Sequence, residues 1–148
     1  MKESDIESIL GIERMCFPAP WRRQFFLDEI NNPYSLNVLI KENDVLESSA
    51  IYAYSCCHVL AEEMTLLRLA VVPEKHREGL GALLLGTVLD EAARRGTAKV
   101  YLEVRESNIQ ALSFYRKHGF RVVGTRPNYY PETGENALVM MKSLKEIS

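Results

Sequence analysis

Apolar residues recur along this chain with two different periods, and each change of period marks a new element. Ile6, Ile9 and Leu10, with Glu13 one turn further on, fall at helical spacing behind a cap at Ser4 or Asp5, which predicts a helix over Asp5 to Met15. Pro18 and Pro20 push the residues before them into extended geometry, so Phe17-Pro-Ala-Pro-Trp21 is predicted as a rigid aromatic loop. The helical pattern resumes from Arg22 to Ile30 through Phe25, Phe26 and Ile30, and Asn31-Asn-Pro33 ends it. Leu36 to Lys41 and Ser49 to Leu60 read as a strand hairpin around a polar turn at Glu42-Asn-Asp44, and Thr65 to Val72 as a third strand with Arg68 its one charge. Leu80, Leu84, Val88 and Ala92 make an apolar stripe on a helix from Leu80 to Arg95. A strand follows from Ala98 to Val104, then a helix capped by Ser107 or Asn108 and ending at Gly119. Phe120 to Gly124 and Ala137 to Met141 close the chain as an antiparallel pair.

The strand, helix, strand order around Leu80 to Arg95 predicts a parallel crossover, whereas the flanking hairpins are antiparallel. The fold class is therefore α/β (α+β), a mixed central sheet flanked by helices. With 148 residues and no linker, repeat or low-complexity stretch, residues 1–148 read as a single domain. Such a domain buries roughly two thirds of the surface its unfolded chain exposes.

Charge and cysteine content narrow the function. A net charge of -2 gives no bulk attraction to nucleic acid or an anionic membrane, so neither is expected as a partner, and electrostatic binding must be local. Lys75, His76 and Arg77 form such a local cluster. No apolar run reaches the length of a membrane span, and MKESDIESIL lacks the basic start and apolar core of a signal peptide, which predicts a cytoplasmic protein. The three cysteines, Cys16, Cys56 and Cys57, match no zinc spacing and read as reduced core thiols, with no metal expected. Cys57 and His58 are strand neighbours pointing to opposite faces, which argues against a nucleophile pair.

Chemistry begins where Gly79 and Gly81 open the long helix, because main-chain N–H groups there have no intrahelical acceptor and little side-chain bulk around them. The helix dipole and the cluster upstream suit a phosphate or pyrophosphate. A Walker loop needs Lys and Ser or Thr after its last glycine, and Ala82 and Leu83 stand there. A dinucleotide fingerprint needs a small residue where Leu84 stands. An ordinary βα turn remains open on the glycines alone. The stretch His76, Arg77, Glu78, Gly79, Leu80, Gly81 resembles the acyl-CoA loop of the GNAT acetyltransferase superfamily, with His76 in place of the usual first Gln or Arg.

A second motif carries the same resemblance. Asn108-Ile-Gln-Ala-Leu-Ser-Phe-Tyr115-Arg-Lys-His-Gly119-Phe is similar to the family's Asn, Ala, Tyr, Gly-Phe signature. Phe17 to Trp21, Ala61-Glu-Glu-Met, Leu102-Glu-Val-Arg-Glu-Ser-Asn108, Arg126-Pro-Asn-Tyr-Tyr-Pro131 and Gly134 to Met140 resemble its RimI-type branch, which acetylates the N-terminal alanine of a small-subunit ribosomal protein. The resemblance implies acetyl-CoA as co-substrate, held by Arg77, Glu78, Gly79, Leu80, Gly81, Ala82 and Asn108, with the backbone of Leu69, Ala70 and Val71 exposed to the acyl arm by a splay between strands. It implies a strand ahead of the first helix, for which only Met1 to Glu3 is available, so that strand is expected to be reduced or absent.

On the strand KVYLEVR, Tyr101, Glu103 and Arg105 share the face opposite Val100, Leu102 and Val104. A carboxylate in the parallel part of a sheet must be paired, hydrated or employed. Glu103 is then either held by Arg105 or Arg68, or a general base facing the substrate. Tyr115 at helical spacing from Leu112 is either core or catalyst. The resemblance makes Glu103 the proton acceptor and Tyr115 the proton donor to the departing thiolate. A peptide α-amine titrates near 8, against about 10.4 for lysine, so it needs less help to lose its proton. Trp21, Tyr129 and Tyr130 are candidate walls for the incoming N-terminus, or else turn and core packing; Glu62, Glu63 and Glu135 are candidate attractors of a basic peptide. A monomer or weak dimer is expected. A lysine or small-amine acceptor and a non-catalytic acyl-CoA-binding module are the competing readings.

Overall fold

A computed structural model of the chain describes residues 1–43, 45–46 and 49–144. The elements run α1 (Ile6–Cys16), α2 (Arg23–Asn31), β1 (Ser35–Lys41), β2 (Ile51–Leu60), β3 (Glu63–Val71), α3 (Leu80–Arg94), β4 (Lys99–Arg105), α4 (Ile109–Lys117), β5 (Arg121–Tyr130) and β6 (Glu135–Ser143). The order of helices and strands is the one that the periodicity predicts. Ahead of α1 stands a 3₁₀ turn, Glu3–Asp5, closed by the Lys2 N–H donating to the Asp5 carboxylate at 2.8 Å. The expected turn at Glu42-Asn-Asp44 lies partly outside the described residues, since Asp44 is not among them.

The six strands form one sheet in the order β1-β2-β3-β4-β6-β5. β3 and β4 are parallel, joined by the α3 crossover, and the other neighbours are antiparallel. One face packs Leu85, Val88, Leu112 and Phe120 of the α3 and α4 side over Val100, Leu102 and Met140. The other packs Ile6, Ile9, Ile12 and Phe26 over Tyr54 and Ala70. Cys56 belongs to the second core and Cys57 to the first, as strand alternation requires. Burial pushes the Cys56 thiol up, and pushes that of Cys57 up to about 12.

Two strands run further than the periodicity suggests. The sequence pattern ends this strand at Gly124, yet β5 continues to Tyr130. It is an edge strand, where proline costs no ladder bond. Asn128, at φ +51°, takes up a register shift between Arg126 and Tyr130, and its N–H donates to the Asn136 side chain at 3.0 Å. β6 lengthens with it, over Glu135–Ser143 rather than 137–141.

Gly119 ends α4 at φ +92°, and a Cβ there would stand 2.9 Å from Lys142 Nζ, which donates to the His118 carbonyl at 2.6 Å. Gly119→Ala is expected to cost about 1–2 kcal/mol, from left-handed backbone strain and displacement of that lysine, measurable as a shift in the urea midpoint.

Candidate active site

The β3/β4 ladder pairs Glu63 with Lys99 through Leu66 with Leu102 and then stops, although β3 continues to Val71 and β4 to Arg105. The cause lies in β3. Cys57 pairs with Leu66 and Cys56 with Arg68, so Leu67 is an extra residue against β2. Such a bulge bends its strand and reverses the face of everything beyond it. Met64 and Leu66 accordingly pack under α3, whereas Ala70 and Val72 pack under α1 and α2. The bent strand leaves β4 and opens a cleft of about 210 Å³, lined among others by Leu69, Glu103, Asn108, Tyr115 and Tyr130, with Phe17, Pro18 and Ala19 on its other wall.

Glu103 projects into this cleft with its side chain about a quarter exposed. The sequence suggested Arg105 or Arg68 as a partner, and the structure gives neither. Arg126 Nε forms an ion pair with Oε1 at 2.9 Å, and the same carboxylate beside the Tyr129 phenol holds that phenol above its ordinary value. Oε2 is buried with no hydrogen-bond partner among the described residues. A buried carboxylate oxygen left without a donor suits an incoming N–H. Arg105 is instead tied to Glu132, to Glu135 at 3.3 Å and to Thr133 at 3.2 Å, and lies 3.8 Å over the Tyr130 ring.

Tyr115 sits on α4 between the rings of Phe114 and Phe120, at centroid distances of 5.1 and 5.6 Å. Desolvation pushes its phenol well up, so it remains a neutral O–H donor throughout the physiological range. Asn108 caps α4, its side-chain oxygen accepting from the Ala111 N–H at 3.1 Å, while lining the cleft.

The glycine loop adjoins the cleft without lining it. Gly79 adopts φ +79° and Arg77 φ +68°, turning the chain sharply into α3. The first intrahelical bond there runs from the Leu83 N–H to the Gly79 carbonyl at 3.0 Å, so the N–H groups of Leu80, Gly81 and Ala82 lie ahead of it and point out of the helix end. A Cβ on Gly81 would stand 3.5 Å from Phe114 and 3.9 Å from Val71, which places this helix end against the tip of β3 and the neighbour of Tyr115. His76 turns inward, its Nε2 2.9 Å from the Val71 carbonyl, and so pins the loop to β3. Glu78 is paired with Lys75 at 3.7 Å, which offsets its charge beside the helix end, and Arg77 is exposed. Ala70 is buried in the α1 and α2 core, leaving Leu69 as the residue of the Leu69-Ala70-Val71 stretch that lines the cleft. The N–H groups that open α3 suit a phosphate, and the cleft where β3 and β4 part has room for an acyl end.

Of the three aromatic wall candidates, Tyr130 lines the cleft and Tyr129 stands on its rim, half exposed, both within β5 rather than on a loop. Trp21 does not line it. Its ring stacks on Phe25 at 3.7 Å, behind the wall formed by Phe17 to Ala19. Sequence reasoning did not find Arg126, nor the ion pair between Glu13 and Arg68 behind that wall. The second had a signal: Arg68 is the one charge in its apolar strand, and Glu13 falls at helical spacing with Ile6, Ile9 and Leu10 on an apolar face.

No group of three or more His, Cys, Asp or Glu among the described residues is placed to hold a metal ion. No helix among them is long and apolar enough to cross a membrane. Residues 6–120 match the model of the acetyltransferase (GNAT) family. The chain belongs to this family. GNAT enzymes draw their acyl group from acetyl-CoA. The [ribosomal protein bS18]-alanine N-acetyltransferase of Escherichia coli is 34% identical over 142 residues, 95% of this chain and 92% of that one. The crystal structure of the ribosomal-protein-S18-alanine N-acetyltransferase from Escherichia coli superimposes with a TM-score of 0.88 at 31% identity, covering 100% of this chain and 93% of that one. The PaiA N-acetyltransferase of Thermoplasma acidophilum, solved in complex with coenzyme A, shares the GNAT fold at a TM-score of 0.78 and 20% identity, over 97% of this chain and 95% of that one.

Proposed function

We propose that this GNAT enzyme acetylates a protein α-amine, the N-terminal alanine of ribosomal protein bS18, by direct transfer from acetyl-CoA. The observation that carries the reading is the cleft at the end of the β3/β4 ladder, where a carboxylate with one free oxygen and a neutral phenol line the same space. The likeness to the bS18-alanine enzymes over nearly the whole chain supports the choice of acceptor.

Acetyl-CoA, when bound, supplies the acyl group as a thioester. Glu103 takes a proton from the acceptor's ammonium through Oε2, leaving a lone pair on nitrogen. The C–N bond forms as the C–S bond breaks, Tyr115 gives its phenolic proton to the departing sulfur, and the surplus amine proton restores the phenol, so that one proton leaves in all. The bulged strand and the helix end hold the reactants together, which itself supplies much of the rate. Cys56 and Cys57 are fully buried with thiols held protonated, so no thiolate relay is needed or offered.

The test is an acetylation assay with three acceptors: a peptide with a free N-terminal alanine, the same peptide with a blocked N-terminus and an internal lysine, and a polyamine. Transfer to the first alone is expected. Equal transfer to the blocked peptide would overturn the α-amine assignment.

A further inference from the structure

Behind the acceptor wall, Glu13 is completely buried, yet four groups from three parts of the chain donate to it. Arg68 reaches both oxygens, Nε to Oε1 and Nη2 to Oε2, each at 3.1 Å. The Trp21 main-chain N–H donates to Oε2 at 2.9 Å, and the Tyr54 phenol to Oε1. Arg68 Nη2 also donates to the Ala19 carbonyl at 3.3 Å, and its guanidinium lies 3.7 Å over the Phe17 ring and 4.2 Å over that of Trp21. One ion pair thus grips the α1–α2 connection at Phe17, Ala19 and Trp21.

That connection has few other means of holding its shape. Pro18 and Pro20 remove two main-chain donors, and residues 17–22 form no helix or strand. Phe17, Pro18 and Ala19 nevertheless form a wall of the cleft. Arg68 lines the same cleft, and it is the Leu67 bulge that turns it to the α1 face. We propose that Arg68, anchored on Glu13, is a positioning residue for the acceptor: it sets the wall against which the first residues of the incoming chain pack. The inference rests on the reading of this cleft as the acceptor site. Arg68 touches no reacting atom. Its effect falls on acceptor binding, because the proposed phosphate site at the start of α3 does not include this wall.

The experiment is steady-state kinetics with acetyl-CoA and a peptide bearing a free N-terminal alanine, on the wild type, Arg68→Lys, Glu13→Gln/Arg68→Met and Glu103→Gln, each checked for folding by thermal unfolding. The paired variant removes both charges, since stripping one partner leaves the other buried and uncompensated. Its peptide KM is expected to rise about 10-fold or more, while kcat and the acetyl-CoA KM stay within about 3-fold. Arg68→Lys keeps the charge but loses the two-pronged grip, and should show a smaller rise. Emission of Trp21, the single tryptophan, should shift in the same variants. An unchanged peptide KM in a folded variant, or peptide and acetyl-CoA KM rising together, would overturn the proposal. If the paired variant does not fold, Arg68→Lys decides by the same criterion. Undiminished turnover in Glu103→Gln removes the cleft as acceptor site and the inference with it; reduced turnover there with an unchanged peptide KM in the Arg68 variants sinks the inference alone.

Discussion

Glu103→Gln is expected to lower turnover on an N-terminal peptide by about 10²–10³-fold, the range usual for loss of a general base, with the acetyl-CoA dissociation constant nearly unchanged. Glutamine has the shape of glutamate, but neither its amide oxygen nor its amide nitrogen can take a proton from an ammonium ion at neutral pH. The substitution also removes the charge pairing with Arg126, whose side chain is 59% exposed. Solvent-exposed pairs of this kind contribute about 0–1 kcal/mol, so the variant should stay folded and its loss of rate is not a loss of enzyme. Raising the pH should recover part of the rate, because the peptide amine, near 8 in its ordinary value, then loses its proton unaided. A variant that turns over at the wild-type rate at pH 7 would remove Glu103 as proton acceptor.

The elements of this fold were legible because their apolar periods are clean. The α3 stripe of Leu84, Val88 and Ala92 is buried, and Glu103 lies on the face of β4 opposite Val100, Leu102 and Val104. What the period could not show was the single extra residue in β3. Thr65 to Val72 reads as an apolar run broken only by Arg68, and nothing in such a run marks Leu67 as a bulge; only pairing with β2 does. The open cleft, the inward turn of Arg68 and the burial of Ala70 all follow from that one residue. Partner choice was equally hidden. Arg126 reaches Glu103 from β5, across β6, by virtue of the sheet order β4-β6-β5, which local sequence does not encode. Trp21 was a reasonable wall candidate by type, but the two prolines aim the shorter residues before it into the cleft and leave its ring against Phe25. The glycine loop was legible for a stronger reason: Gly79 at φ +79° is a position that few other residues occupy without strain.

Tyr115→Phe is expected to cut turnover by about 10²-fold, while peptide and acetyl-CoA binding change little. The ring keeps its edge contacts with Phe114 and Phe120, so what is removed is the phenolic proton and not the packing. Burial raises the phenol's pKa, which favours its protonated form; the proton to be donated is therefore present at every pH below about 10, and a fall in rate between pH 7 and 9 is not expected from this group. The rate should instead rise over that range as the peptide amine deprotonates, and level off. The proton matters only because a thiolate leaves with a pKa close to that of cysteine, about 8.5, and gains from being protonated as it departs. An acetyl thioester of a more acidic thiol needs that help less. With such a donor the deficit of Tyr115→Phe should shrink towards the wild-type rate, whereas a phenylalanine that merely misplaced the acceptor would show the same deficit with both thioesters.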